Sequence, residues 1–514
     1  MKAGETKGTN KVSQGENPEV EDTNTVITNS DKDKASSNTV TIEAKDKDDK
    51  VEVTLKDVNI DTSSRSEAAV SVTGEGNTNI ELDGDNALKS DIYSSGISSS
   101  GSLTISGGEN DSLTAQGGSG ADGIYSSGSL TISGGTVTAN GGSGGGGDGG
   151  DGIWSSGGVT ISGGSTVTAN GGDGKDDYGG DGIRSDSGDV TISGGSTVTA
   201  NGGNGGNVSG DGIRSDSGDV TISGGTVKAA GGDSKDGYGG DGIRSGGVTI
   251  SGGTVNAAGG NGGKVGGYGI HSNGVTISDG TVNATGGSGT DGSGGNGIIG
   301  YSRVAISGGT VNAAGGNGKN GSGGRGIYSS GIDLSGSLEL TAKAGSPNGK
   351  ALSQNGKELN LDTIKDKLGP GAKVTTTDAD GKVNQVSVPR PVEPEEPVIP
   401  EESSSSSDGG SAAPSAPASP LPGLTVTDKN GQRISYTSTQ SGNTLTVCVG
   451  RLTASFRISL SALRQLRAEG IETIAFQTIL CSTTLSVDEL LAMGGEDTEV
   501  VLTHRFTDSS LTVG

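Results

Sequence analysis

The feature that most constrains the fold is a 30-residue phrase that begins at Asp181 and restarts almost unchanged at Asp211. The isoleucine of its x-Gly-Ile motif recurs at intervals of 29, 30, 30, 30, 27, 28 and 29 residues. The positions are Ile124, Ile153, Ile183, Ile213, Ile243, Ile270, Ile298 and Ile327. A period this steady is typical of stacked units that each bury an apolar face against the next unit. The sequence therefore predicts a solenoid.

Composition agrees with a solenoid and argues against an ordinary globular core. Of 514 residues, 102 are glycine, 28% are hydrophobic and 2% are aromatic. Without the period, such a chain would be expected to be disordered. The net charge of −25 argues against nucleic acid and anionic lipid as partners. No apolar run reaches the length that spans a membrane, and a monomer is expected.

Each unit contains three short strands separated by glycine. The motifs are Gly-Ile-x-Ser-Ser, then Val-Thr-Ile or Leu-Thr-Ile, then Thr-Val-x-Ala. Alternation points the Ile, both apolar residues of the second motif and the central Val inward. Three strands in a coil of 27 to 30 residues predict an all-β fold, a right-handed single-stranded parallel β-helix. Asn140, Asn170 and Asn201 are expected to hydrogen-bond up the stack.

The chain is expected to have four parts. Residues 1–38 are polar and aperiodic and predict a disordered arm. Residues 39–388 form the parallel β-helix with a C-terminal cap, 389–423 a Pro/Ser-rich linker, and 424–514 a small α+β or mostly β domain. A helix is predicted from Ser461 to Gly470.

The location of the protein in the cell is inferred only from composition. The N-terminus lacks the apolar core of a signal peptide, so either an export signal has been removed or the protein is cytosolic. The acidic, aromatic-poor composition favours an extracellular or cell-surface protein. The two cysteines, Cys448 and Cys481, lie on predicted strands, where either a disulfide or two buried thiols is compatible with the pattern.

Several phrases between residues 39 and 345 resemble a known family: VEVTLKDVNI, NTNIELDGDNALKSDIYSSG, GSLTISGG and SGADGIYSSGSLTISGGTVTANGG. They resemble the carbohydrate-binding β-helix proteins of clostridial cell surfaces, whose fold is similar to that of pectate lyases. The resemblance implies binding of acidic plant polysaccharide such as pectin, and bound calcium. It supplies no calcium ligands that can be transferred residue by residue, and the C-terminal domain lies outside it.

The residue before Gly-Ile forms what we call the Asp column: Asp122, Asp151, Asp181, Asp211 and Asp241. Carboxylates on successive coils would lie roughly 5 Å apart, which is unfavourable unless cations, arginines or N–H groups intervene. The loops GGSGADGI and GGDGKDDY match a calcium-binding nonapeptide pattern, and the second adds Asp173 and Asp176. The sequence therefore predicts Ca²⁺ at these seven residues. The alternative is that the aspartates cap turns through backbone N–H groups.

The residue after Gly-Ile forms a second column, which alternation turns toward solvent. It reads Tyr93, Tyr125, Trp154, Arg184, Arg214, Arg244, His271, Ile299 and Tyr328. Aromatic faces stack on sugar rings and arginine binds carboxylates in a bidentate manner. The predicted carbohydrate-binding residues are therefore Tyr125, Trp154, Arg184, Arg214, Arg244, His271 and Tyr328. The alternative is that Arg184 and Arg214 pair with Asp186, Asp216 or the Asp column.

These patterns favour non-catalytic binding of an acidic, uronate-type polysaccharide at the cell surface, assisted by calcium. A surface adhesin in which the β-helix is a spacer, and a polysaccharide lyase, are the alternatives. No catalytic residues are predicted, because catalysis needs titratable groups that converge on one point. The Asp column repeats on five coils, and the lysines, such as Lys175 and Lys235, are scattered at loop tips.

Overall fold

The computed structural model of the protein describes residues 1–6, 8–389 and, with gaps, 424–513. The chain has two compact units, Met1–Glu393 and Pro394–Gly514. The first is a parallel β-helix of about 14 coils, so the predicted fold class is confirmed. The predicted linker lies outside the described residues, except for Pro389.

Successive coils pair through three rows of parallel strands, one row for each sequence motif. Row 1, which contains Gly-Ile, comprises Val40–Glu43, Val70–Thr73, Ile97–Ser99, Ile124–Ser126, Ile153–Ser155, Ile183–Ser185, Ile213–Ser215, Ile327–Ser329 and Leu352–Gln354. Row 2 comprises Lys50–Lys56, Asn77–Asp83, Ser102–Gly107, Leu130–Ser133, Val159–Ser162, Val190–Ile192, Val220–Ile222 and Ile332–Leu334. Rows 1 and 2 share the longer strands Ile243–Ile250, Ile270–Ile277 and Ile298–Ile306.

Row 3 forms a separate sheet on the remaining side of each coil. It comprises Asn59–Asp61, Asp85–Lys89, Ser112–Ser119, Thr136–Gly142, Thr166–Asn170, Thr197–Asn201, Thr226–Ala230, Thr254–Ala258, Thr281–Thr285, Thr310–Ala314, Glu339–Lys343 and Lys373–Thr377. Val383–Ser387 closes this sheet in antiparallel pairing. The cap also contains Lys357–Glu358 and a 3₁₀ helix, Leu361–Lys367.

The core is the set of inward ladders that alternation predicts. Ile183, Val190, Ile192 and Val198 are fully buried and represent the pattern on every regular coil. Each such side chain contributes about 1.5–3 kcal/mol by leaving water. The asparagines of row 3 also stack as predicted, and Asn170 Nδ2 donates to Asn140 Oδ1 at 2.8 Å. A thin core therefore suffices, because every coil shares its apolar residues with two neighbours.

The Gly-rich loop between row 3 and row 1 also stacks in register, which the sequence did not indicate. Short parallel bridges join Gly174 to Gly205, and Tyr178 to Val208, on the next coil. Glycine is required where the loop backbones approach each other. A Cβ atom at Gly203 would lie 2.0 Å from the carbonyl oxygen of Gly172.

The prediction of a disordered arm at residues 1–38 is wrong. The described part of this segment contains the strands Lys2–Ala3, Asn10–Val12, Val20–Asp22 and Val26–Thr28. Val26–Thr28 pairs in parallel with Lys50–Lys56, and Asn10 Nδ2 donates to the Glu52 carbonyl at 2.6 Å. These strands satisfy an otherwise open sheet edge through backbone and amide groups, so they need few apolar residues.

The described residues of the C-terminal unit form two four-stranded sheets and two short helices. One sheet comprises Leu424–Thr427, Thr453–Ser459, Glu499–Arg505 and Asp508–Val513; the other comprises Thr437–Ser441, Thr444–Cys448, Thr473–Gln477 and Ser482–Ser486. The helices are Leu460–Ala468, capped by Ser459, and Val487–Leu491. Phe456 and Phe476 pack in its core. Cys448 lies on a strand and Cys481 lies outside the described residues.

Candidate functional site

The outward column is a register-matched row along row 1. Cα pairing joins Tyr125 to Trp154, and then Arg184, Arg214, Arg244, His271, Ile299 and Tyr328 in order. Two members differ from the prediction. Ile299 is 4% exposed, and Tyr93 lies outside the row, where Ser98 pairs with Tyr125 instead. The coil preceding Tyr125 uses Ile97 as its buried isoleucine, so Tyr93 falls in a turn with φ 60°.

The aromatic end of the column is a packed cluster. The rings of Tyr125 and Trp154 meet edge to face with centroids 5.1 Å apart, and the Arg184 guanidinium lies 5.2 Å from the Trp154 ring centroid. The indole Nε1 of Trp154 is buried without a hydrogen-bond partner in the described residues. An unpartnered buried donor is costly to stability.

Arg184 and Arg214 are neutralised by aspartates of their own turns, the alternative that the sequence left open. Arg184 Nε lies 3.0 Å from Asp186 Oδ1, and its Nη2 lies 3.1 Å from Asp216 Oδ2. Arg214 Nε lies 2.6 Å from Asp216 Oδ1. These four side chains form one network along the surface, and its carboxylates balance its guanidinium groups.

Arg244 occupies the same register but has a different environment. The turn after Arg184 and Arg214 reads Ser-Asp-Ser-Gly-Asp, whereas the turn after Arg244 reads Ser-Gly-Gly. The coil therefore lacks the aspartate two residues after its arginine. The Arg244 side chain is exposed, and no carboxylate of the described residues lies within 4.0 Å of its guanidinium. Among the arginines of the outward column, Arg244 is therefore the one whose guanidinium group has no carboxylate partner in the described residues.

Beside Arg244 lies a cleft of about 210 Å³ that is lined by Asp216, Arg244, His271, Asn273 and Tyr301, among others. His271 Nδ1 lies 2.6 Å from Asp241 Oδ2, and its Nε2 lies 3.3 Å from the Tyr301 hydroxyl. The imidazole is thus fixed between a buried carboxylate and an exposed phenol. Arginine, imidazole, phenol and amide groups on one cleft can together bind a carboxylate and neighbouring hydroxyl groups.

Sequence reasoning missed Tyr301. The strand Ile298–Ile306 is one residue longer than Ile270–Ile277, and its register with that strand shifts between Ser272 and Gly274. The shift follows Ile299, which keeps the register of His271, and the extra residue places Tyr301 beside His271. The signal was present in the length of IIGYSRVAI relative to IHSNGVTI, but a fixed alternation from Ile298 assigns the outward position to Ile299.

At the far end of the column, Tyr328 is half-buried. The Arg325 guanidinium lies 4.9 Å from the centroid of its ring. Ile299 separates Tyr328 from His271 in the register. The structure therefore brings together Tyr125, Trp154 and Arg184 at one end and Arg244, His271 and Tyr301 in the middle, and it places Tyr328 apart.

The Asp column is buried and carries hydrogen bonds between coils. Each carboxylate Oδ1 accepts the backbone N–H of the corresponding residue one coil on. The distances are 2.8 Å from Asp151 N to Asp122, 2.5 Å from Asp181 N to Asp151, 2.6 Å from Asp211 N to Asp181, 2.6 Å from Asp241 N to Asp211, and 2.7 Å from Tyr268 N to Asp241. The backbone-capping alternative is therefore realised, although the capped N–H belongs to the next coil.

Burial controls the charge of this column. Loss of water raises the pKa of the Asp122 carboxyl to about 6. The same effect raises the pKa of Asp181, and it raises the pKa values of Asp151 and Asp211 well above the ordinary value, with neighbouring column carboxylates adding to the shift in the last two. Arg214 lies 4.0 Å from Asp181 Oδ2 and 3.9 Å from Asp211 Oδ2, which partly offsets the cost of these charges.

The seven predicted calcium ligands do not converge. Asp173 and Asp176 are exposed on the Gly-rich loop, and Asp173 Oδ1 accepts the Asn204 backbone N–H at 2.8 Å. Within the described residues, no group of three or more His, Cys, Asp or Glu is placed to hold a metal ion. Because one oxygen of each column carboxylate already binds an N–H, the column does not fit a calcium ion, which takes six to eight oxygen ligands.

Comparison with family models finds one match. The model described as Beta helix repeat matches residues 130–153, 159–183, 220–243, 248–274 and 275–297. The first three segments each run from a row 2 strand to the isoleucine of the next Gly-Ile step. The match supports a parallel β-helix repeat protein. Neither the curated proteins nor the solved structures include a match to the chain.

Among the described residues, no helix is long and apolar enough to cross a membrane.

Proposed function

We propose that the β-helix binds an acidic, uronate-type polysaccharide without catalysis, and that the polymer lies along the outward column. The observation that carries this proposal is the unpaired guanidinium of Arg244 beside His271 and Tyr301. An exposed arginine fork binds a carboxylate in a bidentate manner. On a chain with an overall charge of −25, the Arg244 guanidinium, which has no carboxylate of the described residues within 4.0 Å, offers a local positive charge to an anionic ligand.

The length of the column suits a polymer better than a single sugar. Neighbouring coils are roughly 4.8 Å apart, so Trp154 and Arg244, which are three coils apart, are separated by about 14 Å. A chain of a few sugars could stack on the aromatic end and place one uronate carboxylate at Arg244. The resemblance of the repeats to clostridial carbohydrate-binding β-helices supports the same ligand class and a cell-surface location.

Affinity electrophoresis of the full chain in gels containing polygalacturonate tests this function. We expect retardation of the native protein relative to a gel without polymer. Arg244→Ala should abolish most of it, because a hydrogen bond to a charged group contributes about 1.5–3 kcal/mol. Arg457→Ala is the matched control, because it makes the same change in net charge in the C-terminal unit, where Arg457 Nη1 pairs with Glu499 at 3.0 Å.

The alternatives predict different results. Equal retardation of the two variants would contradict binding at Arg244, and would favour a β-helix that serves as a spacer for another binding region. Release of unsaturated products that absorb in the ultraviolet would identify a polysaccharide lyase instead. A mobility that polygalacturonate leaves unchanged in the native protein would remove the proposed ligand.

A further inference from the structure

A second row of side chains lies on the Gly-rich loop between row 3 and row 1. It is distinct from the outward column, whose residues belong to the strands of row 1. Tyr178, Val208, Tyr238 and Val265 follow one another in parallel register on successive coils. Tyr178 is 53% exposed and Tyr238 is 49% exposed. The intervening valines are half-buried. We call these four residues the tyrosine row.

The two tyrosines of the row lie two coils apart, with Val208 between them. The loops read Lys-Asp-Asp-Tyr, Gly-Asn-Val, Lys-Asp-Gly-Tyr and Gly-Lys-Val on successive coils. Tyr178 and Tyr238 are therefore two coils apart, each with a lysine three residues before it, and Ser293 occupies the register position two coils after Tyr238. The coil repeat does not require this alternation, because Val208 and Val265 occupy the same register without a ring.

The spacing of the two rings suits a polymer with a two-unit repeat. Two coils correspond to roughly 9–10 Å. An extended β-1,4-linked glucan advances by about one strand spacing for each sugar, and it presents the same ring face at every second sugar. The C–H face of such a sugar is apolar and can stack on an aromatic ring. Val208, between the two tyrosines, leaves room for the sugar of opposite orientation.

The charge around the row argues against a polyanion. The exposed charged side chains on these loops are Asp173, Lys175, Asp176, Asp177, Asp233, Lys235, Asp236 and Lys264. Acidic groups outnumber basic groups in this set, and the Lys264 ammonium already lies 5.8 Å from the Tyr238 ring centroid. A uronate chain would be repelled here, whereas a neutral chain would not.

We propose that the tyrosine row binds an extended, neutral β-1,4-linked glucan by stacking on alternate sugars. This site is independent of the cleft at Arg244. It takes a ligand of different charge, and its residues come from the Gly-rich loop rather than row 1. A protein with both sites would bind a neutral and an acidic polymer at the same time.

Affinity electrophoresis of the full chain in hydroxyethylcellulose, together with calorimetry using cellohexaose, tests this site. The double variant Tyr178→Ala/Tyr238→Ala should weaken binding at least about tenfold, because each aromatic contact is worth about 0.5–1.5 kcal/mol. Tyr93→Ala is the matched control, because Tyr93 is 85% exposed and lies off the row. The thermal midpoint of both variants should stay that of the native protein.

Two further arms make the outcome decisive. Val208→Tyr fills the space left for the sugar of opposite orientation and should weaken the binding of cellohexaose rather than strengthen it. A soluble β-1,3-glucan, which is not extended, should not retard the protein. Absence of retardation by hydroxyethylcellulose, equal binding by the double variant, or equal retardation by the β-1,3-glucan would each overturn the proposal. None of these results depends on polygalacturonate binding at Arg244.

Discussion

The coils that carry Arg184 and Arg214 differ from the coil that carries Arg244 by a few residues in one turn. That difference determines whether the arginine is paired with a carboxylate or open to a ligand. Arg184, Arg214 and Arg244 share a register along row 1. The first two are paired with Asp186 and Asp216, while the shorter turn after Arg244 supplies no such carboxylate. In a solenoid, register fixes where a side chain lies, but the adjoining turn decides whether its charge is available to a ligand.

A carboxylate introduced into the turn after Arg244 should remove the difference between the coils. We expect this change to have the largest effect on polygalacturonate affinity. Gly246 stands two residues after Arg244, as Asp216 does after Arg214. A Cβ atom at Gly246 would lie 3.2 Å from the Gly218 carbonyl oxygen, a contact that a small shift relieves. Gly246→Asp should weaken polygalacturonate binding by about ten- to a hundredfold, equivalent to about 1.5–3 kcal/mol.

Gly246→Ala is the control for this substitution, because it fills the same space without charge. Isothermal titration calorimetry with an oligogalacturonide would measure both variants. Equal losses of affinity would show that shape, rather than neutralisation of Arg244, controls binding.

Asp211 and Asp241 are buried carboxylates of the Asp column, and their replacement by asparagine should affect the stability of the protein differently. Asp211→Asn keeps an oxygen for the Asp241 N–H and removes a carboxyl group whose pKa is raised by burial despite the nearby Arg214, so we expect the free energy of unfolding at pH 7 to rise by about 1–3 kcal/mol. Asp241→Asn should give no such gain, because Asp241 Oδ2 also contacts His271. Thermal denaturation of the two variants would measure the difference, and an equal gain in both would contradict it.

The pH dependence of stability follows from the same carboxylates. A group whose pKa is raised by folding contributes stability below its unfolded pKa, and the contribution is lost as pH rises through the folded pKa. Asp122 rises from an ordinary 3.8 to about 6, so its contribution should disappear between about pH 4 and pH 6. The thermal midpoint of the native protein should therefore fall across this window, by less in Asp122→Asn. A midpoint that rises instead would contradict a column buried as carboxylates.

Weakening the ion pairs of Arg184 and Arg214 should change polygalacturonate affinity by a smaller factor and in the opposite direction. Asp216 contacts both Arg184 and Arg214, so Asp216→Asn should tighten oligogalacturonide binding by about two- to fivefold, in the range of an exposed ion pair. Asp236→Asn makes the same change in net charge on the exposed Gly-rich loop and should have a weaker effect. Equal tightening by both variants would indicate general electrostatic attraction.

Calcium is expected to have the smallest effect. A loop site of millimolar affinity would stabilise the chain by less than about 1 kcal/mol at millimolar calcium. Any such effect is expected at the exposed carboxylates of Asp173 and Asp176, acting by charge without a formed site in the described residues, because the Oδ1 atoms of the Asp column and of Asp173 already accept backbone N–H groups. The thermal midpoint in calcium should rise slightly in the native protein and in Asp211→Asn, but not in Asp173→Asn. An unchanged thermal midpoint of the native protein in calcium would contradict calcium binding.

The sequence predicted the coils well because their periodicity and alternation are local properties. The burial of Ile183, Val190 and Val198 could be predicted from the repeat period and from the alternation of inward and outward residues along each strand. The N-terminal strands escaped prediction because they pair through backbone groups and carry few apolar residues. Tyr301 escaped because one inserted residue changes the register, and the state of Arg184 depended on side-chain geometry that alternation does not contain.

The most direct test of the central claim is the affinity of the native chain and of Arg184→Ala, Arg214→Ala and Arg244→Ala for one oligogalacturonide. The three substitutions remove the same charge from the same register. We predict a loss of at least about tenfold in Arg244→Ala and at most about threefold in the other two, whose guanidinium groups are already paired. Similar losses in all three would contradict the claim that the adjoining turn selects the binding arginine.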